Sequence, residues 1–356
     1  MLQSTVQVSL TDVSELTLAQ LFAIDKSPAD RSIPFQISNN NIIVGAELAK
    51  CSSVTFTSTV ESLYSNNEEQ AYTLVVFDNV TLTCLNDLIA ECEIALISLS
   101  AINNRNNQVS YRFDIQAKNL EQARSALVNF SLANSIEAAI LDHAPTLSKP
   151  GLLVMDMDST TIKIECIDEI AALAGVGEQV AEVTELAMQG KLDFSQSLYQ
   201  RVATLKDAPD TILKQVADDI PLMEGLKELI TLLKEHGWKI AIASGGFTYF
   251  SEHLQQMLGL DDTFANTLEI IDGKLTGKVL GEVVDAKVKA DSLSILSEKY
   301  QIPKQQTIAM GDGANDLVMM AAASLGVAYK AKPIVLKQAE SCINHSGLDC
   351  MIHWLK

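Results

Sequence analysis

Three short apolar runs in this chain end in residues suited to phosphate or a hard cation. Leu152-Leu153-Val154-Met155 leads into Asp156-Met157-Asp158-Ser159-Thr160. Lys239-Ile240-Ala241-Ile242-Ala243 leads into Ser244-Gly245-Gly246. Thr307-Ile308-Ala309-Met310 leads into Gly311-Asp312-Gly313-Ala314-Asn315-Asp316. Short apolar runs of this kind read as buried parallel strands. Ligands of open α/β sheets bind just beyond the carboxyl ends of such strands. The first turn therefore delivers two carboxylates to a crevice, suited to an oxygen-seeking cation such as Mg²⁺. One of them could also serve as a nucleophile. Glycines at the second turn let N–H groups approach an anion, and the Ser244 hydroxyl adds a donor. Asp312, Asn315 and Asp316 crowd oxygen at one point, a conflict that a cation relieves. Lys287 and Lys289 open a helix continuing through Leu293, Ile295 and Leu296, and either could reach a phosphate as a point charge.

The order carboxylate pair, Ser-Gly-Gly, lysine, Gly-Asp-Gly resembles the haloacid dehalogenase superfamily of Mg²⁺-dependent phosphotransferases. Asp156, Asp158, Thr160, Ser244, Lys289, Asp312 and Asp316 occupy its signature positions without departure. Three further stretches, Glu165–Glu169, Ala187–Phe194 and Ser197–Val202, resemble the cap of the phosphoserine phosphatase family. The likeness covers about 151–356, more than half of the chain.

That resemblance implies Mg²⁺-dependent hydrolysis of O-phosphoserine, the last step of serine biosynthesis. Asp156 would be the nucleophile, forming an aspartyl-phosphate, and Asp158 the general acid and base. The metal ligands would be Asp156, Asp312 and the backbone carbonyl of Asp158. Ser244, the Gly245 N–H and Lys289 would take phosphate oxygens. Asn315 and Asp316 would orient them. Glu165 suits the substrate ammonium and Arg201 its carboxylate, while Met188 and Phe194 would pack over the substrate and exclude water. The alternatives are another small phosphate ester, transfer to an acceptor other than water, or a noncatalytic serine sensor.

Positioning these groups requires alternating strands and helices, the pattern of a doubly wound parallel sheet. Between the first two catalytic strands, residues 165–225 read as almost wholly helical: a small cap over the site. Leu268–Leu275 alternates around Asp272-Gly273 and reads as a hairpin. Upstream of the break at Pro145–Pro150, Tyr72–Phe77, Ala95–Leu99, Val109–Ile115 and Ile136–Leu141 read as strands. Thr83–Ile94 and Leu120–Leu132 read as helices. The resulting βαββαβ order predicts an N-terminal α+β ferredoxin-like domain resembling ACT domains. Its expected role is sensing of serine as an effector, or dimerisation and packing in a homodimer. The expected division is 1–70 without assigned role, 71–145 ACT-like, and 146–356 catalytic.

The chain of 356 residues has room for two or three domains. Its formal charge is −19, and both 1–150 (8 basic, 16 acidic) and 151–356 (18 and 29) are acidic. Neither part reads as binding nucleic acid or an anionic membrane. Met1–Thr5 lacks the features of a signal peptide, and no apolar run is long enough to span a bilayer. Six cysteines without zinc spacing, Cys51, Cys84, Cys92, Cys166, Cys342 and Cys350, read as buried thiols in a reducing cytoplasm. Cys166 has no histidine nearby to make it a nucleophile.

Overall fold

The computed structural model describes residues 5–22, 32–50, 52, 54–58 and 72–356. Cys51 lies outside them. The chain divides into two units.

The first unit contains strands β1 (Thr5–Ser9), β2 (Ile33–Ser38), β3 (Asn41–Gly45), β4 (Thr57–Ser58), β5 (Tyr72–Phe77), β6 (Ile94–Arg105), β7 (Gln108–Ala117) and β8 (Ala138–Leu141). They form one sheet in the order β4-β1-β3-β2-β6-β7-β5-β8. With helices Leu82–Glu91 and Leu120–Asn134, β5 to β8 make the expected βαββαβ ferredoxin-like module. The first helix stops before Ile94 because Glu93 takes a left-handed φ of 51°, and Ile94 opens β6. The described strands before Tyr72, β1 to β4, lie in the same sheet. They repeat the same spatial order, with short helices Leu10–Val13, Leu18–Leu21 and Ala46–Ala49 in the connections. Asn39 and Asn40, both at positive φ, make the two-residue β2–β3 hairpin turn that asparagine tolerates best after glycine. The two halves join through β2 and β6, with Ile33 opposite Leu99. Their core is shared: Phe35 on β2 packs against Phe113 on β7 at 5.1 Å between centroids.

The second unit comprises Pro145–Ala339, Gly347–Asp349 and Lys356. Glu340–Ser346 and Cys350–Leu355 belong to the first unit. The buried Glu137 carboxylate accepts the N–H groups of Asn344, His345 and Ser346. Arg112 Nη1 donates to the carbonyls of His353, Trp354 and Leu355 at 3.1–3.2 Å. His353 is fully buried, its Nδ1 2.8 Å from Ser110 Oγ. Burial, then the charges of Arg105 and Arg112, push its imidazole down to about 4. An unfolded histidine titrates near 6.5, so between these values the unfolded chain binds the proton and the folded one does not. Stability present in full above pH 6.5 is therefore lost as pH falls toward 4, by about 3 kcal/mol. In chemical denaturation, His353→Gln should lose correspondingly less stability than wild type over that interval. Parallel curves would rule this out.

The second unit holds β9 (Leu152–Met155), β10 (Lys239–Phe247), β11 (Asp262–Ile271), β12 (Lys274–Leu280), β13 (Thr307–Gly311) and β14 (Leu325–Tyr329). Their order is β12-β11-β10-β9-β13-β14. The pairs β9–β10, β9–β13, β10–β11 and β13–β14 are parallel. The β11–β12 hairpin turns at Asp272 and Gly273, both at positive φ, as an Asp-Gly turn requires. Between β9 and β10 come helices Cys166–Leu173, Gly177–Met188, Phe194–Thr204 and Thr211–Asp218, the helical cap. No described helix is long and apolar enough to cross a membrane.

Candidate active site

The chain leaves β9 toward β10 on one side and reaches β13 on the other, so a crevice opens at this switch in strand order. Met155 is level with Ile242 of β10 and Met310 of β13, which brings the three strand ends together. The Asp156 N–H extends the ladder to the Met310 carbonyl, 2.9 Å. Beyond it the chain folds back, with the N–H groups of Thr161 and Ile162 on the Met157 carbonyl. Ser159 sits at φ 59° in this turn, a conformation that costs a non-glycine residue roughly 1–2 kcal/mol.

Asp156 faces a buried lysine. Lys289 Nζ donates to Asp156 Oδ1 at 2.7 Å and to Asp316 Oδ1 at 2.8 Å. Asp285 caps its helix, Ala286–Tyr300, by accepting the N–H groups of Lys287 and Val288. The fold thus selects Lys289, 1% exposed, over Lys287, which is exposed. Asp316 also accepts the Gly313 N–H at 3.0 Å. It presses on Gly311, where a Cβ would lie 2.3 Å from its Cγ, so residue 311 must be glycine. Burial lowers the proton affinity of Lys289, but the two carboxylates more than reverse this.

One oxygen each from Asp156, Asp312 and Asp316 falls within a 4.8 Å cluster. Burial, then the charge of Asp316, pushes Asp156 well above the ordinary carboxylate range despite Lys289. The same two causes lift Asp312 to about 6. Three buried carboxylates facing one buried ammonium, Lys289, hold surplus negative charge, and an all-oxygen donor set with that surplus fits a divalent cation. The Asp158 carboxylate is not in the cluster. Its Oδ1 accepts the Cys166 N–H at 3.2 Å, and burial, then the charge of Glu165, raises it to about 7.

A cavity of about 180 Å³ opens beside these groups. Asp156, Asp158, Ser244, Gly245, Asp312 and Asn315 line its floor side, and Glu165, Phe194 and Arg201 come from the cap. Phe194 lies directly on Gly245, where a Cβ would sit 2.5 Å from its ring. Ser244 Oγ accepts the Gly246 N–H at 2.9 Å. Glu165 accepts the Ser159 hydroxyl at 2.9 Å. Arg201 has a buried Nε with no hydrogen-bond partner among the described residues, and burial lowers its proton affinity against the opposing pull of Asp168, Glu165 and Asp158.

Two expected residues stand elsewhere. Lys289 acts from behind Asp156 and does not line the cavity. Met188 ends its helix 72% exposed and does not line it either. Two residues were not expected. The Lys332 ammonium lies 3.9 Å from Asp312 Oδ2, and its N–H bonds the Asp312 carbonyl. Fully buried Asn266 accepts the Val284 N–H and donates to the Gly245 carbonyl, fixing the Ser-Gly-Gly turn. Neither shows a sequence signal, because each works through a partner remote in the chain.

Residues 151–324 match the family model described as haloacid dehalogenase-like hydrolase. The phosphoserine phosphatase of Vibrio cholerae is 61% identical over 220 residues, 62% of this chain and 67% of that protein. A crystal structure of a probable phosphoserine phosphatase from Vibrio cholerae, unliganded, superposes with a TM-score of 0.67. It has 47% identity and spans 81% of this chain and 86% of that one. A phospho-aspartyl intermediate analogue of a phosphoserine phosphatase superposes at 0.55, with 42% identity over 58% of this chain and 100% of that one. With the Asp-x-Asp turn, Ser244, Lys289 and Asp312 gathered at one strand-end crevice, the chain belongs to the phosphoserine phosphatase family of haloacid dehalogenase-like hydrolases.

Proposed function

We propose that this protein hydrolyses O-phosphoserine to serine and phosphate with Mg²⁺, the last step of serine biosynthesis in the cytoplasm. The observation that carries the substrate is the unpartnered, buried Arg201 Nε in a small cavity that Glu165 also lines. A buried donor without an acceptor is costly, and the carboxylate of an amino acid supplies one. Glu165 then suits the ammonium. The cavity is below the ordinary range for larger ligands, which favours a compact ester.

Asp156 attacks phosphorus as the seryl oxygen departs, and Asp158, its proton affinity raised to about 7, gives that oxygen a proton. A water then attacks the aspartyl-phosphate, giving a proton back to Asp158 and freeing the Asp156 carboxylate. Lys289 and Ser244 offset charge and orient the reacting groups. Mg²⁺, held by Asp156 and Asp312 with the Asp158 carbonyl, would supply charge neutralisation that lets a carboxylate approach a phosphate dianion. Asp316 has its own bonds to Lys289 and Gly313, which support a role in orienting the lysine. Phe194 covers the Ser-Gly-Gly turn, and Met188 would join it on substrate binding. Serine as an effector, or a homodimer, is the corresponding proposal for the first unit.

Phosphate release should be measured from phosphoserine and from esters lacking the ammonium and carboxylate, with and without EDTA. Phosphoserine should be preferred by about 100-fold or more in kcat/KM, and EDTA should abolish turnover. Equal rates across the panel would remove the substrate assignment. Undiminished turnover in EDTA would remove the metal.

A further inference from the structure

We infer that Asn266 is a positioning residue for phosphate: its side-chain amide fixes the Gly245–Gly246 peptide, and that peptide turns the Ser244 hydroxyl toward the ligand. This rests on the phosphate role given to Ser244 above. The pairing of β10 with β11 explains why the turn needs such a brace. Ala243 stands level with Phe264 and Phe247 with Asn266, so Ser244, Gly245 and Gly246 together answer to Ala265 alone. A strand that bulges in this way loses regular ladder bonds. The fully buried Asn266 amide stands in for one of them, donating to the Gly245 carbonyl at 2.8 Å. Its Oδ1 accepts the Val284 N–H at 2.9 Å. A carbonyl only accepts and an N–H only donates, so one orientation of the amide satisfies both. Val284 directly precedes Asp285, the cap of the helix that carries Lys289. One side chain thereby ties the hydroxyl turn to the start of the lysine helix.

The bond to Gly245 acts on Ser244 through one rigid plane. The Gly245 carbonyl and the Gly246 N–H belong to the same peptide, so holding the first aims the second. That N–H donates to Ser244 Oγ at 2.9 Å. A hydroxyl oxygen that accepts from one side keeps its own hydrogen for another direction. Ser244 is itself buried and lines the cavity with Gly245 and Gly246. Its hydrogen is therefore set to donate to a phosphate oxygen there, and each bond in the chain polarises the next. A leucine of similar size at 266 would leave the Gly245 carbonyl and the Val284 N–H without these partners.

The test reads phosphate binding through inhibition by inorganic phosphate. Turnover is followed with p-nitrophenyl phosphate, or with any ester the wild-type enzyme accepts. Asn266→Ala should raise the inhibition constant of phosphate about 10-fold. Asn266→Ser keeps a hydroxyl and leaves room for a bridging water, so it should fold even where the alanine variant does not, and lose about 3-fold. In a Ser244→Ala background either loss should shrink to less than about 2-fold. A residue that only supports the fold would instead add its loss in full to that of Ser244→Ala. Unaltered inhibition in the variants that fold, or full additivity with Ser244→Ala, would overturn the inference. Should Ser244→Ala itself leave phosphate inhibition at the wild-type value, the phosphate role of Ser244 falls and the inference with it.

Discussion

Asp156→Asn should release phosphate from phosphoserine at least about 10⁴-fold more slowly than wild type, and should carry no covalent phosphate when quenched during turnover. The amide keeps the shape of the side chain and can still accept from Lys289, but it cannot attack phosphorus. The fold should survive. Lys289 keeps its 2.8 Å bond to Asp316, and the substitution takes one negative charge out of a cluster of three buried carboxylates. That charge is disfavoured by burial and by Asp316, so its removal relieves repulsion. The thermal midpoint should equal or exceed that of wild type. Labelled enzyme trapped from wild type with phosphorus-32 phosphoserine, and absent from the variant, separates lost chemistry from lost folding. Retained labelling in Asp156→Asn would move the nucleophile elsewhere.

What could be read from the sequence was what lies close together in it. Asp156 and Asp158 follow an apolar run directly, and so do Ser244 and Asp312, so strand ends and their chemistry could be seen as one signal. The cap was legible because four helical stretches interrupt two strands. Other features depend on partners far along the chain. The triangle of Lys289, Asp156 and Asp316 spans 133 residues between its first two members, and only folding shows that the lysine approaches from behind. The Asn266 brace on Gly245 looks like any asparagine in a strand. The described strands before Tyr72 hide a repeat of the module that follows, because β4 has only two residues and each helix in the connections only four. The C-terminal segment reads as an ordinary end to a catalytic domain. Its place with the first unit is set by Glu137, Arg105 and Arg112, more than 200 residues upstream. Met188 carries no signal of its position: a long apolar side chain beside a cap motif looks the same whether it lines a cavity or stands exposed, as it does here.

Lys289→Met should strongly destabilise the second unit. It keeps the aliphatic stem and removes an ammonium that two buried carboxylates share at 2.7 and 2.8 Å. Taking one partner from a buried ion cluster leaves uncompensated charge, at a cost of roughly 3–5 kcal/mol. The pH dependence has a definite sign. Without the ammonium, the proton affinity of Asp156, already above that of an unfolded aspartate, rises further. A carboxylate whose folded affinity exceeds its unfolded one supports the fold in acid and loses that support as pH rises through the folded value. The deficit of the variant should therefore be larger at pH 8 than at pH 5, the reverse of an ordinary surface ion pair broken by acid. Millimolar Mg²⁺ should recover part of the deficit at pH 8, since a cation among the same oxygens replaces some of the lost charge. Urea unfolding at both pH values, with and without the metal, reads all three effects. A deficit below about 1 kcal/mol at pH 8 would contradict the value placed on this pairing. A deficit that does not change with pH would mean that Asp156 and Asp316 avoid each other once the lysine is gone, and that the cluster is held together by Lys289 rather than imposed by the strand ends.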